Sequence, residues 1–236
     1  MSKRIDTTGY DTDKGLRPEY LRLYEECFES FAGKDIKLLE LGVASGGSIL
    51  LWRDYFERGT IVGLDINPVQ IEDSTGRIHL YRGHQQDVAL LDRIAKEQAP
   101  EGFDIIIDDC SHIARLTRIS FWHLFDKHLK PGGVYAIEDI FTGYWDKCID
   151  GKNYKPATTS MLYLEVLDHF PSIARCNPFK YRIRTHEYGM AGFVKELLDA
   201  SQGVKARWGR QGPSRSAKIS RLIVTFNRAM VLRSPD

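Results

Sequence analysis

Two pairs of adjacent acids, Asp108-Asp109 and Glu138-Asp139, each close a short apolar run that reads as a buried strand, Phe103 to Ile107 and Val134 to Ile137. In a doubly wound sheet, ligands bind outside the carboxyl ends of the strands, near the point where strand order reverses. If the two runs are neighbours, as right-handed crossovers favour, their ends lie only about 5 Å apart. Carboxylates that close either raise one another's pKa and share protons, or bind a cation that neutralises them. Three or four oxygens suit a hard ion such as Mg²⁺, which would keep some waters and leave positions for substrate oxygens. A plainer alternative is that these acids cap helices or pair with Arg115, Arg118 or Lys147. His112, three residues past Asp109, projects into the same cavity if its loop turns back over the carboxylates. Histidine as a residue type suits proton removal because its unperturbed pKa is near neutrality, with metal ligation and hydrogen bonding to a carboxylate as rival roles. His123 and His128 fall in a helical pattern and read as structural.

Upstream, Leu38-Leu39-Glu40-Leu41-Gly42-Val43-Ala44-Ser45-Gly46-Gly47-Ser48 puts small residues where a first strand turns into a helix, so a ligand can approach the backbone closely. A second strand ends in Asp65, whose carboxylate can accept from both ribose hydroxyls of an adenosine ligand. Nicotinamide dinucleotides and S-adenosylmethionine compete for such a site. A dinucleotide fingerprint needs G-x-G-x-x-G to cradle a pyrophosphate, whereas this loop reads G-V-A-S-G-G, with Ala44 at the second glycine position.

The elements that must position these residues follow from periodicity. Apolar positions from Leu16 to Ala32 recur at helical spacing, and helices are predicted from Gly46 to Tyr55, Val88 to Glu97 and Arg118 to His128. Strands are predicted at Ile36–Leu41, Thr60–Asp65, Ile78–Tyr81, Phe103–Ile107 and, after the turn Lys130-Pro131-Gly132-Gly133, Val134–Ile137. This alternation implies an α/β fold with a Rossmann-like, doubly wound, mostly parallel sheet. Arg221–Phe226 and Ala229–Leu232 read as an antiparallel hairpin closing one sheet edge. A helix over 160–170, a strand over 182–188 and a basic loop over 201–218 are expected between. At 236 residues the chain fits one domain, with a helical cap over 1–35, a core over 36–150 and a substrate-side region over 151–236. Thirty-three basic against thirty-two acidic residues supply no global field toward nucleic acid or an anionic membrane. Four dispersed cysteines and no run of ~20 apolar residues point to a cytoplasmic protein.

The motifs Thr12-Asp13-Lys14-Gly15, Leu39-Glu40-Leu41-Gly42, Gly63-Leu64-Asp65-Ile66, Ser111-His112 and Pro131 to Asp139, with Phe103 to Asp109 and Tyr144-Trp145, resemble those of metal-dependent sugar O-methyltransferases of antibiotic and polysaccharide biosynthesis. The resemblance covers roughly residues 11 to 146. It implies the class I methyltransferase fold with seven strands, S-adenosylmethionine as cofactor, and Mg²⁺ or another hard divalent cation held by Asp109, Glu138 and Asp139. His112 would be the catalytic base. Glu40, Gly42, Ser45, Gly46, Ser48, Asp65 and Asp108 would line the cofactor, with Gln85 or Asp87 near its adenine. The acceptor would be a sugar or glycoside hydroxyl, with no nucleic acid or membrane partner and with a homo-oligomer allowed for. A catechol-like phenol is the alternative acceptor, and a non-catalytic adenosine-binding scaffold the remote one. Cys110, His84 and Arg17-Pro18-Glu19 depart from the family pattern, and the region after Asp150 matches least.

Overall fold

A computed structural model of the chain describes residues 4–16, 18–145, 147–153, 189–201, 218–225 and 228–235. The elements expected at 160–170 and 182–188, and all but the ends of the 201–218 loop, lie outside them. The strands are β1 (Lys37–Leu41), β2 (Thr60–Asp65), β3 (Ile78–Arg82), β4 (Phe103–Asp108), β5 (Leu129–Ile137), β6 (Ile219–Val224) and β7 (Ala229–Arg233). The helices are α1 (Pro18–Phe28), α2 (Gly47–Tyr55), α3 (Val88–Gln98), α4 (Ala114–Lys127) and α5 (Gly189–Ser201).

All seven strands form one sheet in the order β3-β2-β1-β4-β5-β7-β6. The first five are parallel, whereas β7 runs antiparallel to both β5 and β6. This is the α/β architecture of class I methyltransferases. Strand order reverses between β1 and β4, which opens the ligand crevice at their carboxyl ends.

Because successive strand residues point to opposite faces, the apolar runs divide between two cores. Leu39, Leu41, Ile106, Tyr135 and Ile137 pack toward α3, α4 and α5, against Leu91, Ile94, Phe121, Phe125 and Phe193. Leu38, Ile105, Ile107, Val134 and Ala136 pack toward α1 and α2, against Tyr24, Phe28, Trp52 and Phe56. Burying each of these large side chains contributes about 1.5–3 kcal/mol. Burial on both faces is why these strands read as continuous apolar runs rather than alternating ones.

The sequence reading is revised in three places, the first being that α4 begins at Ala114 rather than at Arg118. Lys130-Pro131-Gly132-Gly133 does not precede the fifth strand but bulges within it, since Phe103 pairs with Leu129 and Ile105 already with Val134. The hairpin does close an edge, yet β7 lies inside and β6 outermost. Ser220 and Arg221 of β6 are exposed, whereas Ala229, Met230 and Val231 are buried. No helix among the described residues is long and apolar enough to cross a membrane.

Candidate functional site

Strand ends β1, β4 and β5 converge as the spacing predicts, and the contact is close. Gly42, at φ 88°, leaves no room for a side chain, because a Cβ there would sit 2.1 Å from the Asp109 carbonyl oxygen. Among the described residues, three non-glycine residues have positive φ: Ala44 at 49°, His112 at 54° and Asp139 at 53°. One lies in each of the loops that follow β1, β4 and β5. Left-handed backbone costs about 1–2 kcal/mol per residue and persists where the surroundings enforce it, commonly at functional sites.

Asp109, His112 and Asp139 each offer a ligand atom, and all three atoms lie within 4.8 Å of one another. His112 Nε2 is 3.5 Å from Asp139 Oδ2, and both side chains are about a quarter exposed, at 25% and 28%. Burial and the nearby Glu138 charge push the Asp109 carboxyl above the usual range, against the pull of Lys14. Two carboxylates and an imidazole can hold a hard divalent ion. Cys110 adds no thiolate, since burial and the charges of Asp108, Asp65 and Asp109 push its thiol up to about 12.

Glu138 stands apart from that trio. It is 3% exposed and both its oxygens are engaged. Oε1 accepts from Lys14 Nζ at 2.6 Å and from the Tyr24 hydroxyl, and Oε2 accepts from Arg228 Nε at 2.9 Å and again from its Nη2. Although burial opposes ionisation, Lys14 and Arg228 hold the Glu138 carboxyl down at about 2. The Arg228 guanidinium also stacks on Tyr20 and Tyr24, at 4.4 and 4.9 Å from the ring centroids.

Replacing Arg228 with methionine is therefore expected to destabilise the protein by about 3–5 kcal/mol, read as a lower Tm, because it strips a buried charge of its partner. The pH dependence has a definite sign. A depressed folded pKa contributes stability above the ordinary carboxylate value of 4.5, which is lost as pH falls toward about 2. The variant should begin acid unfolding at higher pH than the parent.

On the other side of the crevice, Glu40 is fully buried; its Oε2 accepts from Ser48 Oγ at 2.9 Å, and its Oε1 has no hydrogen-bond donor. Burial raises its pKa to about 7 despite Lys14 Nζ at 3.3 Å. Asp65 organises the glycine loop: Oδ2 accepts from the Val43 and Ala44 amides at 2.9 and 3.1 Å, and Oδ1 from Asn67 N at 2.8 Å. Burial works against ionisation, but these amides outweigh it and lower the Asp65 pKa.

The other predicted cofactor residues are distributed differently. Gly46, at φ 93°, opens α2, and the exposed Ser45 donates to the Asp11 carbonyl at 3.3 Å. Gln85 and Asp108 are 3% and 2% exposed and meet in a buried network with Ser120 and Tyr135. Gln85 Oε1 also accepts from Ser111 N at 3.1 Å, which steadies the loop carrying His112. Burial lifts Asp108 to about 6. Asp87 is exposed and caps α3 through the Leu90 amide at 3.1 Å. His123 and His128 both contact Asp92 Oδ1, at 2.7 and 2.6 Å, joining α4 and the start of β5 to α3.

Lys14, Tyr24 and Arg228 reach the carboxylates although no role for them follows from the sequence. Tyr24 reads as core and Arg228 as a hairpin-turn cation. Lys14 stands out only as part of Thr12-Asp13-Lys14-Gly15.

Known proteins resemble this chain in sequence and in fold. A family described as "Methyltransferase domain" matches residues 39–135. Mycinamicin VI 2''-O-methyltransferase of Micromonospora griseorubida is 43% identical over 129 residues, covering 52% of this chain and 31% of that protein. Demethylmacrocin O-methyltransferase of Streptomyces fradiae is 39% identical over 129 residues, covering 52% and 32%. The solved structure of MycE methyltransferase from the mycinamycin biosynthetic pathway, in complex with Mg and SAH, superposes with a TM-score of 0.71 at 30% identity, covering 99% of this chain and 56% of that one. A further MycE structure holds Mg, SAH and mycinamycin VI, at a TM-score of 0.67. The match thus spans about a third of the curated relatives' length and just over half of the solved chain.

Proposed function

We propose that the chain, whose residues 39–135 match the methyltransferase domain family, transfers a methyl group from S-adenosylmethionine to a sugar hydroxyl, assisted by Mg²⁺ or a similar hard cation. The observation that carries this reading is the trio Asp109, His112 and Asp139, set on two strained loops beside the glycine loop of β1.

The residues fit both groups. Glu40 Oε1 is a buried acceptor that receives no hydrogen bond, its nearest cation being Lys14 Nζ at 3.3 Å, and Asp65 presents its carboxylate at the end of β2. Together they suit the amino and hydroxyl donors of a nucleoside that carries an amino acid. Glu40, Gly42, Ser45, Gly46, Ser48 and Asp65 would hold the cofactor. Gln85 and Asp108 would support that site from beneath, and the capping Asp87 would stand at its margin. Asp109 and Asp139 would hold the cation together with Glu138, whose oxygens are shared with Lys14 and Arg228.

When bound, S-adenosylmethionine supplies an activated methyl group and the cation lowers the pKa of an acceptor hydroxyl. His112 Nε2, 3.5 Å from Asp139 Oδ2, would remove the proton from that hydroxyl. With the cofactor bound, the deprotonated oxygen would attack the methyl carbon as the carbon–sulfur bond breaks, and S-adenosylhomocysteine would be the leaving group. Most of the rate enhancement comes from positioning, since the donor is already activated. Leu16, Tyr144, Trp145 and Ile149 expose apolar surface in the segments that follow Lys14 and Asp139, which suits a sugar carried on an apolar aglycone.

The test is a methyl-donor assay on macrolide glycosides, with catechols as the competing acceptors. Methylation of a glycoside that stops in excess chelator and returns with Mg²⁺ is expected. Full activity in chelator would sink the metal assignment, and turnover confined to catechols would sink the sugar.

A further inference from the structure

The mechanism leaves unused the most deeply buried cation among the described residues of the site. Lys14 is 1% exposed, and its Nζ touches carboxylates from three different strands or strand ends: Glu40 of β1 at 3.3 Å, Asp109 after β4 at 2.8 Å and Glu138 after β5 at 2.6 Å. Taking an ammonium out of water costs several kcal/mol unless its partners repay it. A lysine kept there in spite of that penalty constrains all three partners at once. Two of them belong to the proposed cation side and the third to the proposed cofactor side.

The backbone that carries Lys14 is part of the same arrangement. Thr12 caps the short 3-10 turn Asp13–Gly15, its side chain accepting from Lys14 N. Just before it, the Asp11 carbonyl meets the glycine loop, accepting from Ser45 Oγ and lying where a Cβ on Gly47 would come within 2.0 Å. Tyr10 donates to Asp54 at 2.8 Å beyond that loop. One segment therefore rests on the cofactor loop through its backbone and grips the carboxylate cluster through Lys14.

Resting on the reading of the site given above, we propose that Lys14 is a positioning residue that couples the two half-sites, so that cofactor and divalent cation bind with positive cooperativity transmitted through its ammonium. Ordering Asp109 and Glu138 around a cation fixes Lys14, which fixes Glu40 and the segment lying on the glycine loop. Cofactor binding acts in reverse, as linkage requires.

Calorimetric titration of S-adenosylhomocysteine with and without saturating Mg²⁺, and of Mg²⁺ with and without S-adenosylhomocysteine, measures the coupling directly. In the parent protein each ligand should tighten the other by the same factor, about fivefold or more. In Lys14→Met that factor should fall to near one. A lysine with only a structural role would instead weaken each ligand alone and leave the factor unchanged, which would overturn the proposal. Glu40→Gln provides a second route should Lys14→Met fold poorly: it should lose the coupling while still binding Mg²⁺ in the absence of nucleoside. In the unaltered protein, Mg²⁺ alone should slow amide exchange over residues 10–16, and unchanged exchange there would also refute the coupling. A parent protein that binds no Mg²⁺ would refute the site reading as well, whereas coupling retained in both variants refutes only the role of Lys14.

Discussion

Asp139→Asn is expected to reduce methyl transfer by about 10³-fold or more while leaving the fold intact. Loss of a cation's charge-stabilising hold is worth several kcal/mol of barrier, and each 1.4 kcal/mol is a factor of ten. Asparagine is the informative replacement because position 139 has φ 53°, a left-handed conformation that asparagine adopts readily. The substitution removes the charge without adding backbone strain. Turnover with a glycoside acceptor, followed across Mg²⁺ concentrations, should stay low even at saturation, with Tm close to that of the parent. Activity within tenfold of the parent would remove Asp139 from the cation site.

The second large effect is expected at His112. His112→Asn preserves the left-handed turn at φ 54° and deletes the titratable imidazole. General-base catalysis contributes about 10²–10⁴-fold, so kcat should fall by that amount and recover partly as pH rises and the acceptor hydroxyl ionises unaided. Calorimetry decides between base and ligand. Mg²⁺ affinity within a few-fold of the parent leaves His112 as the base, whereas affinity that collapses along with turnover makes it a ligand.

Much of this site is legible in the sequence because its parts are strand-end residues. An apolar run that stops at an acid or a glycine marks the end of a buried strand, and parallel strands end on one side of the sheet. Asp65, Asp109, Glu138, Asp139 and the Gly42 loop can therefore be gathered from the order of residues alone. Gln85, Asp87 and Asp108 are harder to read: strand-end residues can face the crevice, the core beneath it or the next helix. Gln85 and Asp108 turn into the buried network with Ser120 and Tyr135, while Asp87 caps α3. Which way each points is set by packing on α3 and α4, and strand periodicity says nothing of it.

By itself, then, the sequence determined the alternation of strands and helices, the two-faced burial of the parallel strands and the set of acids at their carboxyl ends. These follow from local periodicity and chain breaks. Only the tertiary structure decided that β7 lies between β5 and β6, since Arg221 to Phe226 and Ala229 to Leu232 are similarly apolar and either could sit inside. It also decided what neutralises the carboxylates. Lys14 and Arg228 lie 124 and 90 residues from Glu138 along the chain, and a charge pair formed across such a distance leaves no periodic trace. The pairing exists because folding buries those carboxylates where water cannot solvate them, and each buried charge requires a partner.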